Sequence, residues 1–148
     1  MIVVFILIGA LLIFRGMGAL GVASLGSWPA ASRAAMSVML LFTAVGHFAP
    51  MKRDLVKMIP SWIPAPLAMV YFTGVCEILG AGGILYAPTR HLAAIALIVF
   101  FVAILPANIH AALASVNLRG RPVTALWLRI PVQIVFIALV WWAAIRNG

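Results

Sequence analysis

Five long apolar runs, separated by short polar stretches, organise the chain. They cover Ile2–Leu25, Arg33–Ala49, Leu67–Tyr86, Leu92–Ala114 and Val123–Ile145. A hydrocarbon core about 30 Å thick needs roughly 20 apolar residues in helical form. Each run therefore predicts one transmembrane helix, the second a short one. The segments between them hold most of the prolines and charges and leave no room for a soluble domain. Residues 1–148 read as one transmembrane domain of the all-α membrane class.

The first run has no charged leading segment, and its apolar stretch is long for a signal peptide. It reads as a retained span. Gly16, Gly18 and Gly21 spell GxGxxG inside it. That spacing binds dinucleotides only between a strand and a helix. Within an apolar helix it predicts close helix packing through small residues. The longest non-spanning stretch is the linker 50–66. Met51, Leu55, Met58, Ile59 and Trp62 fall on one side of a helical wheel, and Lys52, Arg53, Asp54 and Lys57 on the other. This predicts a short amphipathic helix in the membrane interface, ended by Pro60, Pro64 and Pro66.

Composition removes the soluble alternatives. The chain is 66% hydrophobic and 8% charged, against roughly 45–50% and 25% in soluble domains. A small water-soluble fold cannot hide that much apolar surface. The single cysteine, Cys76, excludes an internal disulfide and a CxxC site. A net charge of +8 would suggest nucleic acid in a soluble protein. Here the cations sit singly or in small clusters beside apolar runs, as flanks facing headgroups, so nucleic acid is not an expected partner and the lipid bilayer is. With the N-terminal side called side A, five spans put Lys52, Arg53, Lys57, Arg119 and Arg121 on side A. Arg33, Arg90 and Arg146 fall on side B. The excess favours a cytoplasmic side A.

Polar groups inside spans are costly and mark candidate sites. They are Arg15, His47, Glu77, His110 and Arg129, with the amides Asn108 and Gln133. At about 1.5 Å per residue, all except Arg15 fall in the half nearest side A. They predict one polar cavity under the linker. Glu77 forms its floor, His47, Asn108 and His110 its wall, and Trp62 or Phe48 its mouth. Glu77 is expected within reach of Arg129, Gln133 or a histidine. Each group also has a structural reading. Glu77 and Arg129 can hold two helices together, His110 can cap a helix end, and Asn108 can repair the backbone gap left by Pro106. Two histidines and a carboxylate are an acceptable metal set, but no HExxH spacing supports one, and no metal ligands are assigned. A His–Glu pair also suits proton transfer to or from a lipophilic substrate.

Several short motifs together resemble the DoxX family of bacterial membrane proteins. They are Val45-Gly46-His47-Phe48, Met58-Ile59-Pro60 with Trp62 and Pro64, and Val70 to Gly80 containing Thr73-Gly74-Val75-Cys76-Glu77. Pro88-Thr89-Arg90 and Phe101 to His110, ending Leu105-Pro106-Ala107-Asn108-Ile109-His110, complete the set. The likeness spans about Ser32 to Ala144. It implies a four-helix bundle, to which this chain adds one N-terminal helix. It further implies a place in the bacterial inner membrane and a small lipophilic ligand such as a quinone. The role it implies is that of membrane subunit in a redox complex with partner subunits. On that reading Glu77, His47 and His110 carry the chemistry, and Asn108, Arg129, Gln133, Thr73 and Trp62 line the ligand site. The rival expectations are a stand-alone membrane enzyme using Glu77 with His47 or His110 for proton transfer, and a purely structural subunit.

Overall fold

The computed structural model describes residues 2–114, 116–118, 120–122 and 124–148. Among these, the helices are α1 (Ile2–Ala19), α2 (Trp28–Phe48), α3 (Lys52–Met58), α4 (Pro66–Leu85), α5 (Arg90–Ala103), α6 (Leu105–Leu113) and α7 (Leu126–Val140). The α7 helix runs on as a π turn over Trp141–Arg146. Between α6 and α7 a two-residue antiparallel ladder pairs Asn117 with Pro122 and Leu118 with Arg121. Five helical segments are long and apolar enough to cross a membrane: α1, α2, α4, α5 with α6, and α7 with its π turn. The protein is an all-α membrane protein. Arg119 and Val123, the expected start of the fifth span, lie outside the described residues.

Several boundaries differ from those expected, each for a local reason. The first helix stops at Ala19, not Leu25. Gly21 takes a left-handed φ of +107°, Val22 N–H bonds to Met17 O at 3.1 Å, and Gly21 N–H to Gly18 O at 3.3 Å. These are the two bonds of a Schellman cap, and only glycine takes its left-handed position without a Cβ penalty. The GxGxxG stretch thus ends the helix at Gly21. Within it Gly18 gives room for the close approach of the Leu25 carbonyl in the following 3-10 turn (Ala23–Leu25), while a Cβ on Gly16 would meet nothing among the described residues. The second helix starts five residues earlier than expected. Ser27 accepts a hydrogen bond from Ala30 N–H, and Pro29 lies in the first turn; both are helix-start signals. The fourth span is broken at Ile104, because Pro106 has no N–H to give the carbonyl four residues earlier.

The buried core is drawn from all five spans: Leu7 of α1, Ala35, Met36, Met39 and Leu40 of α2, Ala81 and Ile84 of α4, Ala94, Leu97 and Phe101 of α5, and Phe136, Val140 and Ala144 of α7. Helix α1 packs along α2 and adds its one fully buried residue, Leu7, to this core. At side B two arginines tie the bundle ends. Arg33 donates to the carbonyls of Ala143 (2.6 Å) and Asn147 (3.1 Å). Arg90 donates to those of Ile84 (3.3 Å) and Leu85 (3.4 Å). Cations suit helix C-termini, where the last carbonyls lack partners.

Candidate functional site

The largest helix pair is α2 with α4, and a row of polar side chains runs along its seam. Near the middle, Ser37 donates to the Ala81 carbonyl. Toward side A, Thr43 donates to the Leu40 (2.9 Å) or Met39 (3.2 Å) carbonyl of its own helix. Beyond it His47 fits against α4 at the level of Gly74. A Cβ on Gly74 would sit 2.6 Å from His47 Cβ and 3.0 Å from Phe48 Cε2. The missing side chain at 74 is therefore what lets the imidazole reach the α4 backbone.

That approach fixes the imidazole through Nδ1 and brings Nε2 toward Glu77. His47 Nδ1 is 2.7 Å from the Val70 carbonyl and 3.1 Å from Thr73 Oγ1. The Thr73 hydroxyl directs its own hydrogen to Val70 O (2.9 Å) or Met69 O (3.0 Å). A carbonyl can only accept, so Nδ1 carries the hydrogen. The tautomer follows from its partner. On the other side, His47 Nε2 faces Glu77 Oε2 at 3.4 Å. With Nδ1 committed, one proton serves this second contact. It sits on the carboxyl with a neutral imidazole, or on Nε2 as an imidazolium–carboxylate pair. Both side chains are nearly enclosed, with 14% and 10% of their side-chain surface exposed. Glu77 Oε2 is buried and makes no hydrogen bond among the described residues, so the 3.4 Å approach of His47 Nε2 is its polar contact.

Above His47 the site meets side A through aromatic groups. Phe48 stacks on Tyr71, with ring centroids 5.8 Å apart and planes at 24°. Lys52 of α3 donates to the Tyr71 hydroxyl at 2.7 Å. Trp62, expected at the mouth, is 73% exposed and contributes to neither arrangement. His47 also sits deeper than its place at a helix end implies. The level of Gly74 is about 12 Å along α4 from Pro66, at 1.5 Å per residue.

The remaining candidates form a second, separate set. Arg129 Nη1 donates to Asn108 Oδ1 at 2.8 Å, Asn108 Nδ2 approaches Gln133 Oε1 at 3.5 Å, and Gln133 Nε2 donates to the Phe101 carbonyl at 2.6 Å. This chain of amides ties α7 to the α5–α6 break. Asn108 does not make the backbone repair expected of it: the Val102 carbonyl that Pro106 cannot serve accepts from Ile104 N–H, and Gln133 from the facing helix satisfies the neighbouring Phe101 carbonyl. Arg129 pairs with Asn108 and not with Glu77. His110, half-buried on α6, bonds to neither set among the described residues. No three of the described His, Cys, Asp and Glu side chains gather as a metal site. The expected single cavity under the linker thus resolves into two polar clusters, because α4 and the α6–α7 pair face different neighbours in the bundle.

Sequence reasoning missed Ser37, whose hydroxyl belongs to the α2–α4 seam. Its signal was available: Ser37, Thr43 and His47 lie within one apolar run.

Neither a curated protein nor a solved structure matches the chain. Residues 36–144 match a family described as a domain of unknown function, DUF8561. The match takes in α2 from Met36 onward and every later helix, hence both polar clusters, and leaves α1 outside. The chain belongs to the DUF8561 family.

Proposed function

We propose that this protein binds a small lipophile of quinone type beside the His47–Glu77 pair and exchanges one proton with it, as the membrane subunit of a redox complex. One observation carries the reading. His47 Nδ1 is committed to the Val70 carbonyl while Nε2 faces Glu77 Oε2 at 3.4 Å. A buried acid and base that hold one proton between them form a net-neutral pair; passing that proton to a quinone reduced elsewhere in the complex leaves one negative charge on the pair and cancels one on the quinone anion. Quinone reduction and quinol oxidation both need such a partner near the ring oxygens. The resemblance to the DoxX family, carried partly by His47-Phe48 and Thr73-Gly74-Val75-Cys76-Glu77, supports the quinone and a location in a bacterial inner membrane.

On this reading Glu77 and His47 handle the proton, and Thr73 positions the imidazole. Phe48 and Tyr71 offer a flat apolar wall at the side-A entrance. Asn108, Arg129 and Gln133 hold the α5–α6 break and are not assigned to the ligand.

The test is a titration of the purified full chain with a short-chain ubiquinone, followed by tryptophan fluorescence quenching. Saturable quenching in the wild type, weakened at least tenfold in His47→Leu and Glu77→Leu, is the expected result. Linear, non-saturable quenching, identical in both variants, would refute the reading.

A further inference from the structure

We infer that the side-A face formed by α3 and the adjoining α6–α7 connection is a docking surface for anionic phospholipid headgroups. Helix α3 lies across the side-A ends of the bundle, packed against α2, α4, α6 and the strand Asn117–Leu118. Its inner side is apolar, with Met58 buried and Leu55 and Val56 half-buried, while Arg53 and Lys57 are exposed. Such a basic amphipathic helix rests in the headgroup region.

Charge accounting strengthens the assignment. The segment carries Lys52, Arg53 and Lys57 against Asp54 alone, and the neighbouring connection adds Arg119 and Arg121 in sequence. Asp54 and Lys57 pair at 3.0 Å. Lys52 is held by the neutral Tyr71 hydroxyl, so its charge is not cancelled. Arg53 forms no ion pair among the described residues. Side B differs in kind, since Arg33 and Arg90 spend their hydrogen bonds on helix-end carbonyls. Exposed basic side chains thus stand at Arg53 and Lys57 on side A and at Arg146 on side B, and the sequence adds Arg119 and Arg121 to side A.

Two exposed tryptophans locate this face at the interface. Trp62, just after α3, is 73% exposed, and Trp127, in the first turn of α7, is 72% exposed. Tryptophan gathers at the headgroup level. A lipid surface therefore fits the site better than an acidic protein, which would have to meet a face already at headgroup depth. Each basic residue near an anionic surface is worth about a fivefold gain in association. By the positive-inside rule, the same asymmetry makes side A cytoplasmic.

The experiment uses the full chain reconstituted in phosphatidylcholine bilayers doped with spin-labelled phosphatidylglycerol or spin-labelled phosphatidylcholine. The fraction of motionally restricted label gives the relative affinity. The wild type should prefer phosphatidylglycerol several-fold, with the preference falling in high salt. Arg53→Glu with Lys57→Glu should abolish it, and Arg146→Glu on side B should leave it intact. Both altered side chains of the double variant are exposed, so folding is not at stake. Equal affinity for both lipids, or a preference indifferent to the double variant, would overturn the inference. So would a preference erased by millimolar inorganic phosphate, which would indicate a soluble-anion site. An acidic protein held by Arg53 and Lys57 in the absence of lipid preference would also replace the lipid as partner.

Discussion

Gly74 makes the His47–Glu77 pair possible, because only a residue without Cβ lets the imidazole lie against the α4 backbone. Gly74→Ala should push His47 off Val70 and Thr73 and destabilise the protein by about 1–3 kcal/mol, as over-packing does. Thermal unfolding in detergent reads this, and a melting temperature equal to the wild type would show that the seam has slack. At position 77 the two obvious replacements should separate. The amide of Glu77→Gln can still donate to His47 Nε2, so the melting temperature should stay close to the wild type. Glu77→Leu leaves that nitrogen buried without a partner, at about 1–3 kcal/mol. Equal melting temperatures for the two would mean that the 3.4 Å contact contributes nothing to the fold. Glu77 and His47 were legible as candidates because ionisable groups in apolar runs stand out. Their pairing was legible only as one of three options, Arg129, Gln133 or a histidine, and the choice among them was not. It depends on the rotation of α2 against α4, which a missing Cβ sets and which apolar periodicity does not encode.

Helix ends followed local chemistry more closely than hydropathy. Hydropathy alone carries the first span to Leu25, yet the helix ends where Gly21 can turn left-handed. The early start of α2 was written in Ser27 and Pro29, a capping signal that a count of apolar residues passes over. The break between α5 and α6 shows the same logic across helices. Pro106 opens the backbone, and Gln133 from α7 reaches the Phe101 carbonyl at 2.6 Å. Gln133→Leu should then lower stability by about 1–3 kcal/mol, because a carbonyl loses its partner in an apolar setting. Ubiquinone quenching should be unaffected. A variant of unchanged stability but impaired quenching would transfer Gln133 from the scaffold to the ligand site. Arg129 and Asn108 sit in the same chain, so pairing Arg129 with Glu77 by charge alone was misleading. An amide oxygen on the facing helix satisfies the guanidinium instead.

At the scale of the molecule, the all-α class and five spans were readable from the apolar runs, since bilayer thickness fixes helix length. The DUF8561 match begins inside α2 and leaves out α1, yet Leu7 of α1 joins the core with the other four spans. A single polar cavity was not readable, because depth says how far down a group lies and nothing about which helix it faces. The separation matters for mechanism. The α2–α4 seam holds the acid and the base, and the α5–α7 contact holds only amides and a guanidinium. The most direct test of the shared proton is infrared difference spectroscopy of the lipid-reconstituted full chain on perfusion with short-chain ubiquinone. The account predicts a protonated-carboxyl stretching band that changes on binding, shifts in heavy water and is absent in Glu77→Gln. A spectrum with no carboxyl response, or one whose carboxyl band persists in Glu77→Gln, would contradict it.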